Sequence, residues 1–141
     1  MKLKKFLIYI SFILINLTAI NNSYSIEPDV FVQSTVNRAS QVLSDNLSKD
    51  QKISKLKSIA AETVDIKGIG MYTLGSYRKV LSENQKKEYA ILFEQYFLKT
   101  FSSRLAEYSN PEIEVKSKEE LNKNYTMVSS VLVSTEQRPE V

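Results

Sequence analysis

Cysteine, histidine and tryptophan are all missing from the 141 residues. Without cysteine there can be no disulfide, no thiolate metal site and no lipoprotein cysteine to acylate. Without histidine the commonest general base and the commonest metal ligand are lost together. Glycine and proline are scarce, three of each, and none lies between Gly75 and Pro111. No nucleophile elbow, HExxH pair or Walker loop can be found. The expectation is therefore a protein that is not an enzyme, with no catalytic residue, no metal and no cofactor. The carboxylate pairs Glu112/Glu114 and Glu119/Glu120 sit in polar, strand-edge surroundings, where solubility and edge protection explain them.

Charge of one sign is also lacking. The net charge of +3 comes from Lys2, Lys4 and Lys5 at the start of the chain, where no acid lies. Taking those three from the 19 basic residues leaves 16, against 16 acidic. Nothing in that balance points to nucleic acid. With 43 % hydrophobic and 10 % aromatic residues the composition is globular, and the length suits one domain.

The first 25 residues read as a secretory signal peptide. A cationic start is followed by the uncharged apolar run from Phe6 to Ile20, 15 residues long. That run is shorter than the ~20 residues that span a bilayer. Ser23 and Ser25 place small residues at −3 and −1 of a cut after Ser25. The expected product is an exported chain from about Ile26, so that residues 26–141 form the mature domain. No later segment has the character of a membrane span.

Pro28-Asp29 opens a helical pattern with Asp29 as the expected N-cap. Val32, Val36, Ala39, Leu43 and Leu47 form its stripe. Ser48 and Gln51 suggest a capping box for a second helix striped by Ile53, Leu56, Ala60 and Val64. Its lysines 49, 52, 55 and 57 read as a solvated face. Gly68, Gly70 and Gly75 do not match a dinucleotide fingerprint. They suggest a short, tight helical elbow in which Met71, Tyr72 and Leu74 approach their neighbours.

The stretch from Ser82 to Tyr108 dominates the middle of the chain. Ser82 and Gln85 form another capping-box signature, and Asn110-Pro111 is the expected stop. At 100° per residue, Tyr89, Leu92, Phe93, Tyr96 and Phe97 share one side. Phe101 and Tyr108 lie beside them, and Ile91, Leu98 and Leu105 form another stripe. Only Glu88, Gln95, Lys99 and Ser102 read as solvated. A surface helix needs one apolar stripe. This one is either covered by neighbours all round or walls an apolar cavity, and the periodicity does not choose between them.

Beyond the helix, Glu112 to Lys116 alternates as an exposed strand, residues 118–124 look turn-like, and Tyr125 to Thr135 reads as a second strand. In that strand Tyr125, Met127, Ser129, Val131 and Val133 take one side, and Val128, Ser130, Leu132 and Ser134 the other. Arg138-Pro139 breaks the pattern. Two strands alone make a marginal hairpin with open edges. The expected fold class is α+β: N-terminal helices, including one long central helix, packed on a curved antiparallel sheet that is incomplete in this chain.

Leu74-Gly75-Ser76-Tyr77-Arg78, then Leu81-Ser82-Glu83-Asn84-Gln85, then Tyr89, Phe93, Thr100-Phe101, Leu105 and Tyr108 resemble the MlaC/toluene-tolerance family, and Val64-Asp65-Ile66 resembles its helix-to-elbow junction. The resemblance covers most of residues 26–135. It implies a periplasmic phospholipid carrier working between an inner-membrane ABC transporter complex and an outer-membrane lipoprotein complex, which maintains lipid asymmetry. It also implies acyl chains buried between helices and sheet. Leu74, Tyr77, Leu92, Phe93, Tyr96 and Phe97, with Val131 and Val133 opposite, are the expected lipid-lining residues. Family members continue past Thr135 with further strands, so a truncated member unable to hold lipid is one alternative. A non-enzymatic module pairing through its strand edge is another.

Overall fold

The computed structural model describes residues 25–134. The expected signal peptide before Ser25 and the break at Arg138-Pro139 lie outside the described residues. Among the described residues four α-helices precede a two-stranded antiparallel hairpin, the expected α+β class with a small sheet. No helix among the described residues is long and apolar enough to cross a membrane.

Helix α1 spans Pro28–Ser44, with Pro28 in its first turn. The ring pre-sets the helical φ and removes an N–H that would have no partner there. The helix therefore begins two residues earlier than an N-cap at Asp29 suggests: Glu27 is the N-cap, and Asp29 lies in the first turn. Helix α2, Lys49–Thr63, begins with the expected reciprocal box. The Gln51 amide donates to Ser48 Oγ at 3.3 Å, and the Ser48 amide to Gln51 Oε1 at 3.0 Å. Lys52 is not simply a solvated lysine: its Nζ donates to the Leu43 carbonyl at 2.6 Å, capping the C-terminal end of α1. Val42, Leu43, Leu56 and Ile59 form the core between α1 and α2, joined by Leu105, Ala106 and Tyr108.

Helix α3, Ile66–Thr73, is the expected elbow, followed by a 3₁₀ turn over Gly75–Lys79. Asp65 caps it by accepting from the Gly68 amide at 2.9 Å. The close approach is made by Gly70 and not by Tyr72, whose side chain is exposed. Gly75 has φ +55°, a left-handed conformation that side chains disfavour.

Helix α4, Glu83–Leu105, has 23 residues and is roughly 35 Å long at the standard rise. Ser82 and Gln85 build its capping box as expected. It stops three residues before Tyr108. There the Glu107 and Tyr108 amides tighten onto the carbonyls of Arg104 and Leu105. Asn110 then adopts φ +47° ahead of the buried Pro111, turning the chain into the sheet.

The buried side of α4 changes along its length. Its first half packs on α3, where Phe93 meets Gly70 and the Tyr89 hydroxyl pairs with Thr73 Oγ1 at 2.8 Å. Its last turns pack on α2 through Leu105. Ser102, expected in the solvated sector, is 0 % exposed because it falls on this second buried side.

Strand β1 runs Glu112–Asn122 and β2 Tyr125–Ser134. β1 is six residues longer than its alternation suggests. Residues 117–120 and Asn122 pair with β2, with register shifts on either side of this run, and Lys118 is held by Glu27 at 2.7 Å and by Asp29 at 2.9 Å. Backbone pairing and these ion pairs substitute for apolar burial. Asn122 Oδ1 accepts from the Asn124 amide in the tight turn. The helix lying along this sheet is chiefly α1, while α4 reaches it near the chain reversal.

Candidate functional site

Between α1, α2, the last turns of α4 and the hairpin lies a cavity of about 360 Å³. Each wall follows from local sequence. Val36, Ala39 and Leu43 recur at three- and four-residue spacing, so they share one face of α1. Leu56, Ile59, Ala60 and Thr63 do the same on α2. Phe101 and Leu105, four apart, close one side from α4, with Tyr108 and Pro111 beyond them. The sheet contributes Ile113 and Leu132, which are direct partners across the two strands. Ala39, Ser40 and Ala60 present short side chains where a leucine would fill the space. No charged side chain lines the cavity, and its polar contributions come from Thr35, Ser40, Thr63 and Tyr108.

The eight residues singled out from sequence are placed differently. None of them lines this cavity. Phe93 and Phe97 are half-buried within a ladder of stacked rings, Tyr89–Phe93–Phe97–Phe101, with centroids 5.8, 6.2 and 5.3 Å apart. The ladder ends at the cavity through Phe101. Leu74 is half-buried at the C-cap of α3, and Tyr77 is exposed on the 3₁₀ turn. Leu92 and Tyr96 point away from both packed sides of α4, 57 % and 67 % exposed. Val131 and Val133 are exposed on the sheet face opposite Leu132. The stripes of α1 and α2 that do line the cavity were visible as amphipathic periodicity. Nothing local marked Ile113 or Leu132 as their counterparts.

The electrostatics lie at the surface. The hydrogen bond from Lys118 holds the Asp29 carboxyl below its ordinary 3.8. The hydrogen bonds to Glu27 and Asp29 in turn raise Lys118 above its ordinary 10.5. Lys86 lowers Glu83 in the first turn of α4 in the same way. Glu114 is paired with Lys116 on the exposed strand. Among the described residues no cluster of histidine, cysteine, aspartate or glutamate could hold a metal ion.

These residues define an α+β domain organised around an apolar cavity walled by three helices and both strands. The chain belongs to the MlaC family: residues 33–141, more than half of its length, match the family described as MlaC protein. Comparison with curated proteins and with solved structures gave no match.

Proposed function

We propose that this protein is a periplasmic carrier of phospholipid, exported with cleavage near Ser25, which buries acyl chain reversibly and performs no catalysis. Family membership supports lipid binding. The observation that carries the reading is the cavity itself, hydrocarbon-lined and free of charge. A hydrocarbon guest there would remove the apolar lining from water, which is favourable in proportion to the area covered. The head group remains outside, since nothing in the lining compensates a buried charge. The carrier would exchange lipid with an inner-membrane ABC transporter complex and an outer-membrane lipoprotein complex. The outward-facing Tyr77, Leu92, Tyr96, Val131 and Val133 offer apolar surface for such contacts, while Phe93 and Phe97 stack toward Phe101 on the cavity's α4 side.

Organic extraction of the exported, folded protein followed by mass spectrometry tests this function. Co-purified lipid is expected, and a lipid-free folded sample would count decisively against a carrier. A second reading, an interaction module, is favoured by the exposed Tyr125, Met127, Val131 and Val133 on β2. It predicts a stable oligomer or complex in size-exclusion chromatography, without bound lipid.

A further inference from the structure

The three most exposed large apolar or aromatic side chains among the described residues fall within one short stretch, residues 72–80: Tyr72 at 81 %, Tyr77 at 69 % and Val80 at 78 %. Scattered exposed hydrophobics are ordinary on a protein surface, but three gathered on one elbow are not. The elbow joins α3 to α4, and every residue from Gly75 to Val80 is exposed. Gly75 faces open space, where a Cβ would meet nothing within 4 Å. The same stretch carries Arg78 and Lys79 side by side and no acid, and neither cation is in an ion pair among the described residues. The nearest acids are engaged: Asp65 accepts from the Gly68 amide, and Glu83 from Lys86. Beyond the first 25 residues basic and acidic side chains balance at 16 each, so this unopposed pair is a local feature.

From this we infer that the elbow between α3 and α4 is a docking tip for the surface of a bilayer that contains anionic lipid. Charge complementarity selects the partner, because Arg78 and Lys79 gain from anionic head groups at a membrane surface. The tyrosines fit the same place: an apolar ring body with a hydroxyl tip suits the boundary between acyl chain and water. Val80 supplies an aliphatic side chain to enter the acyl region. A projecting run of exposed residues lacks the packed, desolvated centre on which a protein interface depends, whereas a bilayer yields around it. The inference goes beyond the carrier reading and does not depend on what fills the cavity. Tyr77 then meets the lipid surrounding the membrane complexes.

Co-sedimentation of the exported protein with vesicles tests this, comparing phosphatidylcholine alone with an equal mixture of phosphatidylcholine and phosphatidylglycerol. Each cation at an anionic surface is worth about a fivefold factor, so the mixed vesicles should bind roughly 30-fold more tightly. The double variant Arg78→Gln/Lys79→Gln should remove that advantage, as should added salt. Val80→Ser should cost about a further tenfold. Because the chain has no tryptophan, Val80→Trp reports insertion directly. Its emission should shift to the blue on mixed vesicles, while Leu121→Trp, at a site 58 % exposed near the hairpin turn, should keep the emission of a wet indole. Equal binding to both vesicles, undiminished binding by the double variant, or equal shifts at the two tryptophans would overturn the inference. So would a lack of vesicle binding, including the case in which an acidic protein occupies the elbow instead. Lipid co-purifying with a protein that ignores vesicles would leave the carrier reading standing alone, and vesicle binding by a lipid-free protein would leave this inference standing without it.

Discussion

Gly70 lies directly against Phe93: a Cβ on the glycine would stand 2.8 Å from Cδ1 of the ring. This contact sets how closely α3 approaches α4. Gly70→Ala would gain helix propensity, up to about 1 kcal/mol, yet drive a methyl group into a ring stacked on both Tyr89 and Phe97. Overpacking dominates, and a net loss of ~1–3 kcal/mol is expected in urea denaturation. Adding Phe93→Leu should recover part of it, and strict additivity of the two changes would argue against the contact.

Ser102 is fully buried and its Oγ has no hydrogen-bond partner among the described residues. Removing a buried, unsatisfied hydroxyl relieves a desolvation cost of ~1–3 kcal/mol. Ser102→Ala should therefore raise the urea midpoint, an unusual gain for a core truncation. Ser102→Leu should lower it by overpacking. A drop for the alanine variant would reveal a partner for the hydroxyl.

The two capping boxes should each contribute to the helix they start. Ser48→Ala and Ser82→Ala are expected to cost ~1 kcal/mol apiece, seen as parallel shifts in far-UV thermal melts. The boxes are far apart in sequence and share no hydrogen-bond partner, so the double variant should show the sum of the two losses.

The Lys118–Asp29 pair joins the sheet to the start of α1 and predicts a pH dependence. Asp29 is lowered in the folded state, so its contribution is complete above 3.8 and disappears as pH falls through the lower folded value. Lys118 is raised, so its contribution is complete below 10.5 and disappears as pH rises through the folded value. Lys118→Met should differ from the wild type by a constant amount between those limits and converge with it in acid. Urea midpoints across pH check this; a gap that widens on acidification would contradict it.

How much could be read from the sequence depends on the range of the interactions. Both capping boxes, most of the stripes of α1 and α2, and the β2 strand are set by neighbours a few residues apart and are where periodicity places them; Leu47 falls beyond the end of α1 at Ser44, and Val64 is the C-cap of α2. Strand β1 was readable only as far as Lys116, because residues 117–122 are held by cross-strand pairing and by Glu27 and Asp29, distant in the chain. The helical wheel of α4 misled at Ser102 for a related reason. A wheel assumes one partner along the whole length, whereas this helix meets α3 first and α2 later. The cavity was not legible as a set of residues, since its walls come from segments far apart in the chain, from Thr35 to Leu132, and the decisive pairing of Ile113 with Leu132 is a matter of register.

The corner at Asn110 and Pro111 governs more than the direction of the chain. One residue with left-handed backbone and one with a locked ring set the angle at which the hairpin leaves the rod, and so the gap between Leu105 and Ile113. The bore of the cavity is thereby written in two backbone torsions as well as in its lining. Altering that elbow alone would resize it with every wall residue left in place.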